Sequence, residues 1–116
     1  MIDLDLASSR VFIALGNTDM RKSINGLTLL VEEQFEQDLF TGDLFVFCNR
    51  KRDIVKILYW ARNGFCIWMK RLEKDFFQWP ESKAEILEVS GQALQWLLSG
   101  LDLRSAHQKI SYKSSG

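Results

Sequence analysis

A chain of 116 residues with 47% hydrophobic and 26% charged side chains has the make-up of one folded domain with a substantial core, which excludes a wholly disordered adaptor. Its 15 Lys and Arg balance 15 Asp and Glu, yet between Arg50 and Lys74 eight bases face only Asp53 and Glu73, so neutrality on paper hides a polarised molecule. No apolar run approaches the ~20 residues of a membrane helix, and Asp3 and Asp5 stand where a signal peptide is basic and apolar, so no membrane partner is expected and the cytoplasm is the default location.

A single domain is expected over 1–116, with a core at about 10–103 and a polar tail over 104–116 that contains the only histidine, His107. Arg10 to Leu15 is apolar and β-branched enough for a first strand, stopped at Gly16-Asn17. From Met20 the period changes: Met20, Ile24, Leu27, Val31 and Phe35 recur at helical spacing, with Asp19 as the expected N-cap. Gly26 inside that helix costs about 1 kcal/mol relative to Ala, which points to a position where only a small residue fits.

Thr41-Gly42-Asp43 ends the connection, and Leu44 to Asn49 is apolar on both faces, as in an interior strand. The basic knot Arg50-Lys51-Arg52 is the next turn, and Ile54 to Trp60 the strand after it. Asn63-Gly64 marks a hairpin into Phe65 to Leu72. Any even-length loop there puts Lys56, Trp60 and Arg62 on one sheet face with Phe65, Ile67, Met69 and Arg71, and Val55, Ile57 and Tyr59 on the other with Cys66, Trp68 and Lys70. The second face reads as core and the first as mixed. Phe76 to Trp79 fits a short edge strand closed by Pro80, and Ala84 to Val89 fits strand or helix. Ser90 then caps a short helix carrying Leu94, Leu97 and Leu98, which Gly100 stops. The fold expected is α+β: a largely antiparallel β-meander, one long helix from the N-terminal half packed on the sheet, and a short C-terminal helix.

Two groups of residues are candidates for contact with an anionic partner. Arg21 and Lys22 sit where the first turn of a helix disfavours cations, so either a phosphate or acidic group is bound there or both side chains are solvated or paired with Asp19. Arg50, Lys51, Arg52, Lys56, Trp60, Arg62 and Arg71 interleave bases with aromatics in the manner of sheets that neutralise phosphates and stack bases. The competing reading is solvated cations and a Trp60 in the core, and a helix laid across the mixed face would leave only the turn for contact. Cys48 and Cys66 lack zinc or redox spacing and read as small apolar groups. Phosphate-loop, zinc-protease and nucleophile-elbow motifs are missing, so no catalytic residue, metal or cofactor is expected.

The blocks Gly16-Asn17-Thr18-Asp19-Met20-Arg21-Lys22, Gly26-Leu27 and Gly42 through Asp53 resemble the accessory-protein (TnpB) family of bacterial insertion sequence 66 elements. Lys56 to Trp60, Asn63 to Glu73, Phe77 with Trp79-Pro80, and Leu94 to Leu103 continue the pattern in the same order. That family is unrelated in kind to the RNA-guided nucleases of the same name. The resemblance implies a bacterial mobile-element protein encoded beside a DDE-type transposase and assisting transposition, a DNA recombination process, with no catalytic residues to carry over. The chain departs from the family at Ala61-Arg62, where an acidic residue is frequent, and at Leu39, where proline is common. Two functions follow as expectations. One is a noncatalytic factor that binds DNA through the basic turn. The other is an interaction module that docks on the transposase or self-associates as a homo-oligomer.

Overall fold

The computed structural model describes residues 9–100, so the tail expected over 104–116 lies outside the described residues. Five strands form one mixed sheet in the order β4-β3-β2-β1-β5: β1 (Val11–Ala14), β2 (Leu44–Cys48), β3 (Ile54–Ala61), β4 (Gly64–Arg71) and β5 (Ile86–Val89). Helix α1 (Ile24–Leu30) runs on as a π-helical segment, Val31–Phe35, and α2 (Gly91–Leu98) closes the described chain. The α+β architecture is the one expected, and β2, β3 and β4 form the antiparallel meander.

The N-terminal part differs from a pure meander. Strand β1 pairs parallel to β2, with Val11 opposite Leu44 and Ile13 opposite Val46, so β1, α1 and β2 make a crossover unit. Strand β5 then adds antiparallel to the other side of β1, which resolves the ambiguous 84–89 segment as a strand. Being central, β1 and β2 are buried at every position.

Alternation sends their side chains into two cores. On one face Val11, Ile13, Leu44, Val46, Val55, Ile57 and Tyr59 pack against Leu94 and Leu97 of α2. On the other, Phe12, Phe45, Phe47 and Leu58 meet Leu27, Val31 and Phe35 of the helical segment. Phe35 stands edge-on to Phe45 and Phe47 at 5.4 and 5.5 Å, a geometry that favours the ring quadrupoles. The long helix therefore lies on the face expected to be mixed.

Three local expectations are corrected. The first helix starts at Ile24, with Ser23 at the cap, rather than after Asp19. Its first bond is Leu27 N to Ser23 O, because the carbonyls of Met20 and Lys22 are engaged by the Lys56 ammonium and the Asp19 carboxylate bends the chain at Arg21. The two-residue loop of the hairpin is Arg62-Asn63, with Ala61 opposite Gly64. This register sets Trp60 against Phe65 at 4.9 Å, and it keeps the face assignment intact because the shift is by an even number of residues. Finally, Phe76 to Trp79 is not a strand. Phe77 and Trp79 alternate inward as a plug, the Trp79 indole N–H donating to Ala14 O at 3.0 Å within the core. Ser90 caps α2 as expected, its hydroxyl accepting from Ala93 N, and Gly100 ends it with φ 85°.

Candidate nucleic-acid interface

The basic knot is held in shape by Asn49, the residue after β2. Its side-chain oxygen accepts from the backbone N–H groups of Asp53 and Ile54 at 3.0 and 3.1 Å, while its amide donates to the Asp53 carboxylate at 2.6 Å. Arg52 N closes the turn on Asn49 O. Arg52 takes the left-handed conformation, φ 63°, which costs an L-residue about 1–2 kcal/mol. Its guanidinium offsets that by reaching the carbonyls of Leu15 and Asn49 at 3.2 and 3.3 Å, and it lies 5.6 Å from the centre of the Trp79 ring. Arg52 is therefore a latch between the turn and the end of β1. Arg50 and Lys51 at the tip are exposed, Lys51 only 3.9 Å from Asp53.

The second block, 16–23, lies beside this turn. Two parallel neighbours end at the same edge of a sheet, so the segment leaving β1 and the turn leaving β2 meet there. Thr18 N donates to Cys48 O at 2.9 Å and joins them directly. The Lys56 ammonium rises from β3 and donates to Met20 O and Lys22 O at 2.8 and 2.9 Å. Asp19 accepts from the Arg21 backbone N–H and guanidinium, and that partner holds its carboxyl down at about 2. The same pair raises the Arg21 guanidinium, so both groups are charged at neutral pH. Gly26 has the close neighbour expected of it: a Cβ there would lie 3.1 Å from Lys22 Cβ and Cγ, so the lysine stem runs over the helix where no side chain stands.

The nine candidate residues thus divide. Arg21, Lys22, Arg50 and Lys51 are exposed at one edge, Arg21 paired with Asp19 and the Lys22 stem lying over Gly26, while Arg52 and Lys56 are the braces beneath them. Arg71, opposite Ile54 in the register, lies at the same edge in an ion pair with Glu73 at 2.8 Å. Arg62 and Trp60 are at the far end of β3, an eight-residue strand and so about 25 Å long. There Trp60 packs against Phe40 and Phe65, and with α1 over Leu58 the sheet face is not open for a row of stacked bases. The sequence reading missed Asn49 and Thr18. The signal for Asn49 was present, since an Asn between a strand and a turn favours bonding to backbone two or more residues on.

A cleft of about 350 Å³ opens beside this edge, lined among others by Asn17, Thr18, Gln34, Arg52, Glu81 and Glu85. Its one cation is spent on carbonyls and two carboxylates share the wall, which makes it a poor cradle for a phosphate. Both cysteines are free, and burial pushes the Cys48 thiol up to about 11.

A family profile of IS66 Orf2-like proteins matches residues 9–108. The uncharacterized protein y4hO of Sinorhizobium fredii (strain NBRC 101917 / NGR234) is 38% identical over 95 residues, 82% of this chain and 83% of its own length. The uncharacterized protein y4jC of the same strain is 32% identical over 100 residues, 86% of each chain. No solved structure matches the chain. The profile spans the whole sheet, both helices and both basic blocks, and the chain belongs to the IS66 Orf2-like family, accessory proteins of insertion sequence transposition.

Proposed function

We propose that this protein is a noncatalytic accessory factor of an insertion sequence 66 type element that binds nucleic acid through the edge formed by Arg21, Lys22, Arg50 and Lys51. The observation that carries the reading is the bracing. Lys56 ties Met20 and Lys22 of the 16–23 segment to β3, and Arg52 ties the 49–53 turn to the end of β1, so both cations are used internally, while four further cations, Arg21 among them in its pair with Asp19, stand exposed beside them. A rigid group of exposed bases with no hydrogen-bonding pattern for base edges suits phosphate contact, which positions without reading sequence. The Arg21–Asp19 pair is compatible with this, since an exposed ion pair is worth little and a phosphate can share the guanidinium.

Fluorescence anisotropy of labelled single-stranded and duplex DNA over a salt series tests the proposal. Neutralising three to four phosphates gives a log–log salt slope near −3, so affinity falls roughly sixtyfold between 50 and 200 mM salt. Arg50→Glu with Lys51→Glu should flatten the slope by about 2. Arg52 is left in place because it supports the fold. Absence of binding at 50 mM salt would sink the reading. A second reading, docking on the DDE-type transposase, draws on the exposed Phe40 beside Trp60 and Phe65, aromatic anchors of the type that dominate protein interfaces. A pull-down with the transposase of the same element, nuclease-treated, discriminates the two.

A further inference from the structure

The geometry points to self-association: two copies of this chain pair antiparallel along their β4 edges, centred on Ile67, to join two five-stranded sheets into one. Strand β4 is the outer strand on its side of the sheet order and has no strand partner beyond β3 among the described residues. Because Ala61 and Gly64 flank the two-residue loop as a narrow pair, alternate residues Phe65, Ile67, Met69 and Arg71 turn their N–H and C=O groups away from β3. Leu72 N, of the opposite parity, donates inward to Asp53 O, in agreement.

Sheets ordinarily guard such an edge with a proline, a bulge, central charges or brevity. This eight-residue strand carries none of these before Lys70. It carries instead a row of apolar side chains, with Met69 55% and the adjoining Phe40 59% exposed.

The choice of a second copy rests on how the strand matches itself. About Ile67, a two-fold axis sets Phe65 against Met69 of the second copy and Ile67 against Ile67, each a narrow pair made from outward-turned backbone groups. Lys70 then faces Gly64 and Arg71 faces Asn63, so no cation opposes a cation. Pairing about Trp68 instead sets Arg71 against Phe65 and Lys70 against Cys66, breaking the apolar row and burying charge. Only the first register satisfies the backbone, the apolar row and the charges together.

Sedimentation velocity of the full chain from 1 to 200 µM should show the mass rising from 13.5 kDa towards twice that value. Ile67→Lys sets like charges on the axis and should weaken the dimer at least tenfold, with circular dichroism used to verify that the variant still folds, since Ile67 also packs against the core. In a Cys66→Ser background, Ile67→Cys should give a disulfide-linked dimer with diamide as the oxidant, whereas Phe65→Cys, which faces Met69, should not. A chain that stays monomeric at 200 µM overturns the inference. So does a dimer indifferent to Ile67→Lys, or one in which Ile67→Cys fails to cross-link.

Discussion

Replacing Lys56 by Met separates a brace from a contact. Met keeps most of the apolar stem and removes the ammonium that donates to Met20 O and Lys22 O. A hydrogen bond involving a charged group contributes about 1.5–3 kcal/mol when its partner is shielded from water. The Met20 bond is partly buried, whereas the Lys22 carbonyl is exposed and water can take the place of the ammonium. The expected loss is therefore about 2 kcal/mol rather than the sum of two full bonds. With a urea m-value of about 2 kcal/mol/M the unfolding midpoint falls by ~1 M, followed by circular dichroism. Arg50→Ala, at the exposed tip, should move the same midpoint by less than about 0.3 M, since it removes no internal partner. If Lys56→Met leaves the midpoint in place while abolishing DNA binding, the ammonium belongs to the partner and the bracing argument fails.

Three further outcomes follow from the local geometry. Arg62 holds φ 59° at the hairpin loop, so Arg62→Gly should stabilise the chain by about 0.5 kcal/mol, the relief of left-handed strain less the added freedom of the unfolded chain; a lower urea midpoint would show that the arginine side chain contributes packing. Titration with Ellman's reagent at pH 8 should release one thiol per chain quickly, from the partly exposed Cys66, and the second only on unfolding, because Cys48 is buried and its thiol is raised to about 11; two fast thiols would contradict the packing around β2. Asp19 is lowered to about 2 from 3.8 by the Arg21 guanidinium, so its contribution to stability, small because the pair is exposed, is full above the unfolded value and lost as pH falls from about 4 towards 2. The stability difference between wild type and Asp19→Asn, measured by urea midpoints at pH 6, 4 and 2.5, should shrink in that order, and a constant difference would refute the assignment.

Periodicity carried most of the fold because it reports burial directly. The β2 run Leu44–Cys48 has no polar position and is buried throughout, and the inward parity of β3 and β4 holds in the structure. Where periodicity misled, the same burial was achieved without a ladder. Phe77 and Trp79 alternate as strand residues do, yet they are turned inward by loop bonds from Phe77 N to Arg52 O and from Trp79 Nε1 to Ala14 O. Local propensity misplaced the start of α1 for a different reason. Asp19 is a good cap, but the decisive group, the Lys56 ammonium, lies on another strand and takes the carbonyls that a longer helix would need.

The candidate site was legible in its residues and not in its assembly. Arg21 and Lys51 are thirty residues apart, and a meander gives no reason for them to meet. A parallel pair does: two strands running the same way through a crossover helix deliver their following loops to one edge, and here those loops are the two basic blocks. Cation identity alone cannot sort contact from brace, since Arg50, Lys51 and Arg52 are consecutive and chemically alike. What sorts them is the supply of carbonyl oxygens nearby. The chain leaving β1 exposes Leu15 O and, further on, Met20 O and Lys22 O outside any helix or ladder, and the cations that can reach them, Arg52 and Lys56, are drawn inward. Arg50 and Lys51 project from the tip of the turn, where water is the competitor. Removing an inward cation should therefore register first in the urea midpoint, and removing an outward one first in the salt slope of binding.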